Sequence, residues 1–187
     1  MMELCVRNLS KSYDGRSVLE NVSFTAPVGL TRIAGNSGIG KTTLLRILLG
    51  LERADGGEVA PNLRWAAVFQ EDRLLEGLDA AGNLRFALGA AYDDSQAKTL
   101  LEALGLGDVG GKKVRDYSGG MKRRLALARA LLAPCDALAL DEPFTGLDRA
   151  SRDAALRAVL RAAEEKIVLL AAHETLALPT HCGEVKL

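Results

Sequence analysis

The sequence predicts an α/β fold: a mainly parallel sheet at the core, an antiparallel β part at the N-terminus and an inserted helical subdomain. Three observations carry this. Short apolar runs alternate with helical periodicities, the pattern of strands joined by crossover helices. A glycine-rich loop, Gly35 to Gly40, stands between a strand-like run and a helix-like one. Residues from about 76 to 128 lose the strand signal and read as helices. At 187 residues the length fits one domain. Its core takes residues 1–75 and 129–187, with the helical subdomain at 76–128 between them.

The elements follow in order. Glu3–Arg7 and Val22–Ala26 read as strands, with the turn Asp14-Gly15 between them. Leu30–Ala34 is a short apolar strand running into the glycine-rich loop. Lys41–Leu49 is helical, with Leu44, Leu45, Leu48 and Leu49 on one stripe and Gly50 as its stop. Asp55-Gly56-Gly57 reads as a turn and Trp65–Phe69 as a strand. Leu84, Leu88, Leu100, Leu101 and Leu104 have helical spacing, closed by Gly105 and Gly107. Gly119–Ala133 is a strong helix. Ala137–Leu140 is a short buried strand ending in Asp141-Glu142-Pro143. Ser151–Glu165 is an amphipathic helix capped by Ser151 or Asp148. Ile167–Ala172 is the last core strand. Beyond it, Thr175–Leu178 makes at most one helix turn and Glu184–Leu187 a short strand.

Composition narrows the function. Lys plus Arg and Asp plus Glu are both 24, so the net charge is zero and the basic excess of a nucleic-acid groove is missing. Aromatic residues are 4%, too few for single-strand stacking platforms. Hydrophobic residues at 48% and charged residues at 26% are globular proportions. No apolar run approaches the roughly 20 residues that cross a bilayer, and the N-terminus has no basic-then-apolar leader pattern. Cys5, Cys135 and Cys182 are far apart and odd in number, which fits buried free thiols in a reducing cytosol.

Two motifs carry chemistry. Gly35-Asn36-Ser37-Gly38-Ile39-Gly40-Lys41-Thr42-Thr43 contains the phosphate loop G-x-x-x-x-G-K-[ST]. Its glycines turn backbone N–H groups inward around phosphate oxygens, Lys41 reaches the β- and γ-phosphates, and Thr42 offers a hydroxyl to Mg2+. The following helix aims its positive end at the same anion. About one hundred residues on, the apolar run Ala137–Leu140 delivers Asp141 to the metal and Glu142 to an attacking water. Together they define a P-loop nucleotide triphosphatase or kinase core; that the nucleotide is ATP, with Mg2+, is what the resemblance below implies.

A third motif, Tyr117-Ser118-Gly119-Gly120-Met121 followed by basic residues, resembles the signature L-S-G-G-Q of the ATP-binding cassette (ABC) ATPases. Ser118, Gly119 and Gly120 open a helix with free N–H groups, a second anion-binding end. The resemblance implies that Ser118, Gly119, Gly120 and Met121 complete the ATP site of an opposing copy in a head-to-tail homodimer or pseudo-dimer. It implies that Tyr13 stacks on adenine, that Gln70 contacts Mg2+ or water, and that Asp148 of Thr145-Gly146-Leu147-Asp148 lies in the dimer loop. His173 matches the histidine that contacts the γ-phosphate, beside Glu142 and Gln70 in catalysis. The metal would take Thr42, Gln70 and Asp141. Tyr117, Met121 and Gly146 depart from the commoner Leu, Gln and Ala.

The run Phe69-Gln70-Glu71-Asp72-Arg73-Leu74-Leu75 resembles importer subunits of the nitrate/sulfonate/taurine type. That implies a hydrolase of ATP at the inner, cytoplasmic face of the cell membrane, bound to integral permease subunits and indirectly served by an extracytoplasmic solute-binding protein. Glu71-Asp72-Arg73 would lead into the permease-facing groove. An exporter or assembly-system ATPase, and a degenerate domain without turnover, stay open as alternatives; nucleic acid is not an expected partner. The cluster Lys112, Lys113, Arg115, Lys122, Arg123 and Arg124 reads as a mostly solvated basic face. Family members usually run some tens of residues longer, and only fourteen residues follow His173, so shortened packing around that histidine is expected.

Overall fold

The computed structural model describes residues 2–172, 178 and 182–187. The chain starts with two long strands, β1 (Glu3–Tyr13) and β2 (Arg16–Pro27), paired antiparallel across Asp14-Gly15. They are longer than the apolar runs at either end, because the exposed middle of the ribbon needs backbone pairing more than apolar side chains. β4 (Gly56–Ala60) joins the other edge of β1, giving the order β2-β1-β4.

The expected turn at Asp55-Gly56-Gly57 is corrected here: Gly56 and Gly57 open β4. A side chain at Gly57 would sit 2.6 Å from the carbonyls of Arg7 and Asn8, where the β1–β4 register shifts. Glycine is used for close approach of two backbones, and its turn-like appearance is a by-product.

The second sheet is parallel, in the order β5-β6-β7-β3-β8. Its strands are β3 (Gly29–Ala34), β5 (Trp65–Val68), β6 (Ala137–Asp141), β7 (Ile167–Ala171) and β8 (Gly183–Lys186). β6 and β7 are buried along their whole length, as central parallel strands covered on both faces must be. Alternation then divides them. Ala137, Ala139, Ile167, Leu169 and Ala171 pack with Leu44, Leu45 and the antiparallel sheet. Leu138, Leu140, Val168 and Leu170 pack with the remaining helices.

Among the described residues there are five α-helices: α1 (Lys41–Leu48), α2 (Ala80–Leu88), α3 (Asp94–Ala103), α4 (Gly119–Leu132) and α5 (Arg149–Ala163). α4 runs unbroken through residue 128. Leu84, Leu101, Leu104, Leu125 and Leu127 share one cluster with the strand residues Leu138, Leu140 and Val168. Asn83, buried in α2, accepts from the Leu75 N–H at 2.8 Å and donates to the Leu75 carbonyl at 3.0 Å. It thereby pins the chain leaving β5. Cys5, Cys135 and Cys182 are free but only half-buried, against the expectation of full burial. Burial pushes the Cys135 thiol up, against the opposing pull of Lys166.

At the far end of the sheet, Arg64 and Asp136 join the starts of β5 and β6. The guanidinium lies 2.7 Å from the carboxylate, which also accepts from the Arg64 N–H at 2.9 Å. These bonds hold the Asp136 carboxyl down at about 2, against 3.8 for the free side chain. A depressed carboxyl stabilises the fold fully above its unfolded pKa and progressively less as pH falls toward its folded one. Asp136→Asn is therefore expected to lower the thermal midpoint at pH 7, with the gap from the parent closing on acidification from 3.8 toward about 2. Melting curves across that range check it; a pH-independent gap contradicts it.

Candidate nucleotide-binding site

The parallel strands all end on one edge, and the loops after β3, β5 and β6 meet there. α/β sheets place ligands outside the carboxyl ends of their strands. A cleft of about 350 Å³ opens at this edge, lined by Tyr13, Val18, Ser37, Gly38, Gly40, Lys41, Thr42, Thr43, Gln70, Asp141 and Glu142. Ten of these eleven residues were named from the sequence. Val18 was not; it enters because the β1–β2 hairpin folds back beside Tyr13, a placement with no motif of its own.

Side-chain caps distinguish the phosphate loop from every other α-helix start among the described residues. Asp79, Asp93, Ser118 and Asp148 cap α2, α3, α4 and α5, each accepting a backbone N–H with its side chain. α1 begins after Gly40 with no side-chain cap and no acidic residue in its first turn. Its first N–H groups are thus left for an external anion. Gly40 has φ 113, and a Cβ there would stand 2.9 Å from the Val18 carbonyl oxygen. Both facts require glycine.

Lys41 is buried, with Nζ donating to the carbonyls of Gly35 at 2.7 Å and Asn36 at 3.0 Å. An ammonium has three donors, so the loop holds the charge at the cleft and leaves one direction for a ligand. Asn36 contributes through this carbonyl, and Ile39 is exposed beside the loop; neither lines the cleft.

Thr42 Oγ1 donates to Asp141 Oδ2 at 2.6 Å. With the Gln70 side chain in the same cleft, this makes an all-oxygen donor set suited to a hard divalent cation such as Mg2+. Next to Asp141, Glu142 takes a left-handed backbone conformation, φ 52, uncommon for a non-glycine residue. Its N–H donates to Ala171 O at 2.8 Å, and its Oε2 accepts from Thr145 Oγ1 at 3.3 Å. Thr145 was assigned only to the dimer loop; its hydroxyl also orients the Glu142 carboxylate.

Tyr13 lies at the rim, half-exposed, with the Lys11 ammonium 5.1 Å from its ring centroid. Lys11 is itself fixed by Asp55 at 3.1 Å, which raises the pKa of the lysine and, with the Ser12 N–H, lowers that of the aspartate. One face of the ring is thus taken by a cation, and the ring edge and other face remain.

Ser118, Gly119, Gly120 and Met121 open α4 and are not among the lining residues of this cleft. Ser118 Oγ accepts from the Met121 N–H at 3.3 Å. Tyr117 is buried in the helical cluster, filling an apolar position, and burial pushes its hydroxyl pKa up. Asp148 also lies apart from the cleft, capping α5 through Ser151 at 2.8 Å. These bonds hold its carboxyl below the usual range. His173 lies outside the described residues.

The expected solvated basic face is corrected in part. Arg123 is buried, donating to the carbonyls of Phe69 and Gln70 at 2.6 Å each. Arg124 donates to the carbonyls of Leu104 at 2.7 Å and Gly105 at 3.1 Å. Each arginine satisfies loop carbonyls that have no ladder partner, a demand visible only once the loops are placed.

The comparisons agree with this fold. Residues 19–145 match the ABC transporter family, and the chain belongs to it. The aliphatic sulfonates import ATP-binding protein SsuB 1 of Paracoccus denitrificans is 37% identical over 179 residues, covering 91% of this chain and 73% of that protein. Its namesake from Rhizobium johnstonii is 41% identical over 165 residues, 80% of this chain. The matched region spans only 59% of the length of the Rhizobium relative. A solved Pyrococcus furiosus structure, described as an ABC transporter ATP-binding protein, superposes with a TM-score of 0.87. It is 25% identical and covers 99% of this chain and 97% of its own. Among the described residues no helix is long and apolar enough to cross a membrane.

Gly40→Ala is expected to cost about 1–3 kcal/mol, the range for a strained backbone position. Urea denaturation checks it; unchanged stability would show that the loop relaxes freely.

Proposed function

We propose that this chain binds ATP with Mg2+ and hydrolyses it as the energy-supplying subunit of a membrane importer for a small anionic solute of the aliphatic sulfonate class. The observation that carries the reading is the meeting of the uncapped α1 and Lys41 with Asp141 and Glu142 in one cleft. The solute class comes from the relatives, since nothing in this cleft recognises a solute.

Adenine stacks on Tyr13, and the phosphates lie on the N–H groups of Ser37 to Thr43 with Lys41 at their outer end. Thr42, Asp141 and Gln70 would hold a magnesium ion, which would supply charge neutralisation to the phosphates there. Glu142, steadied by Thr145, accepts the proton of the water whose oxygen attacks the γ-phosphorus. The bond to the bridging oxygen breaks, leaving ADP and phosphate. His173 assists at the γ-phosphate. A second copy contributes Ser118, Gly119, Gly120 and Met121 to close each site, with Asp148 in the crossing loop. The core at 1–75 and 129–187 and the helical subdomain at 76–128 act as one ABC domain. It works at the cytoplasmic face of the membrane on permease subunits fed by a solute-binding protein.

Lys41→Ala is expected to weaken ATP binding roughly 10- to 100-fold, the loss of a charged hydrogen-bond partner. Titration with a fluorescent ATP analogue checks it, and unchanged affinity contradicts the phosphate-loop assignment. Glu142→Gln is expected to keep ATP binding, lose at least about 100-fold in turnover and accumulate as an ATP-bound dimer. Phosphate release and sedimentation measure the two effects; parental turnover removes Glu142 from the chemistry.

A further inference from the structure

The two ends of the nucleotide cleft differ in kind. Its charged lining residues sit on the phosphate loop and after β5 and β6, whereas the β1–β2 hairpin contributes only Tyr13 and Val18. A base at the hairpin end is held by stacking and apolar contact, with the Tyr13 hydroxyl as the only polar side-chain group the hairpin offers there. How firmly the ring is placed therefore decides how well the base binds, since a loose ring pays its ordering cost at every binding event.

Tyr13 ends β1 beyond the reach of β4. The pairing of those strands stops at Ser10 opposite Gly56, and Asp55, just before β4, continues it alone. Its N–H donates to the Ser10 carbonyl at 2.9 Å, and its carboxylate accepts from the Ser12 N–H at 2.7 Å and from Lys11 Nζ at 3.1 Å. Glu52 lies 3.4 Å from the same ammonium. The ammonium stands 5.1 Å from the Tyr13 ring centroid, within the roughly 6 Å over which a ring face attracts a cation. The Lys11 side chain is only 12% exposed, which limits screening. Tyr13 lines the cleft and Lys11 does not, so the ring has a cation on one side and the cleft on the other. Both carboxylates come from the segment that leaves α1. Gly50, at φ 68, closes that helix: its N–H donates to the Ile47 carbonyl and the Leu51 N–H to that of Arg46, at 2.9 Å each. Such an end fixes the direction of the departing chain and turns Glu52 and Asp55 onto β1.

We propose that Lys11, clamped by Asp55 and Glu52, is a positioning residue for the base: it fixes the Tyr13 ring from behind, so that the open face is presented to a purine. This rests on the ATP-binding reading above. Lys11 touches no nucleotide, and its effect passes through the ring. It holds one ring orientation before the nucleotide arrives, and its charge draws ring electrons away from the open face, which favours stacking against an electron-rich purine. It acts on the nucleoside alone, because the triphosphate is bound at the other end by groups Lys11 does not contact.

Competition against a ribose-labelled fluorescent ATP analogue tests this on the full chain with Mg2+. The competitors are ATP and inorganic tripolyphosphate, which carries the phosphates without a base. Lys11→Gln should weaken ATP about two- to fivefold, the worth of one cation–ring contact, and leave tripolyphosphate unchanged. The carboxylates it frees are 49% and 28% exposed, so water takes over their pairing and the fold is kept. Lys11→Arg, whose guanidinium both stacks on a ring and pairs with carboxylates, should restore parental ATP affinity. Tyr13→Ala should weaken ATP by itself, and adding Lys11→Gln to it should have no further effect. Equal losses for ATP and tripolyphosphate, or a further loss in the Tyr13→Ala background, overturn the proposal, because Lys11 then acts through the fold or the general field. Parental ATP affinity in Lys11→Gln, with affinity lost in Tyr13→Ala, overturns the role of Lys11 alone. Parental affinity in Tyr13→Ala takes the base off the ring and the proposal with it. A parent that binds neither the analogue nor tripolyphosphate overturns the nucleotide reading itself.

Discussion

The 2.6 Å hydrogen bond from Thr42 to Asp141 joins parts of the chain 99 residues apart, and the site depends on it. It ties the first turn of α1 to the last residue of β6. For the two to meet, β6 must lie beside β7 and β7 beside β3, so that α1, starting after β3, crosses back over β6. The small residues Ala137 and Ala139 face α1 there, with Leu138 and Leu140 on the other side. A hydroxyl donating to a carboxylate is a strong bond, and it also brings two oxygen ligands within reach of one cation.

A second constraint is what α1 lacks. The other four helix starts satisfy their N–H groups with an Asp or Ser side chain. α1 forgoes that stabilisation, and its loop uses Lys41 to hold its own carbonyls. Without the open end, the cleft would be a polar notch with no preference for an anion. The strained Glu142 backbone is a comparable cost at the neighbouring strand end, balanced by its N–H bond to Ala171 and by Thr145. Function here is placed on elements that are individually suboptimal and jointly over-determined.

Much of this was legible locally. The phosphate loop, the acidic strand end and the Asp148 cap of α5 are short-range patterns, readable because their physics operates within a few residues. The central strands β6 and β7 were legible because full burial forces continuous apolar runs. What failed was long-range. Gly57 read as a turn because its neighbour across β1 was unknown. Arg123 and Arg124 read as solvated because the carbonyls they serve are 53 and 20 residues away. Val18 carries no signal of its own.

The sequence by itself determined the fold class, the nucleotide loop, the family and the order of its motifs, since each is encoded in spacing along the chain. Only the tertiary structure decided that ten of the named residues share one cleft while Ser118 to Met121 and Asp148 stand apart from it. It alone decided that Arg123 of the signature helix grips the glutamine loop. The reason is physical. A motif specifies which groups are available, but strand order and helix packing decide which of them meet, and those depend on burial summed over the whole chain.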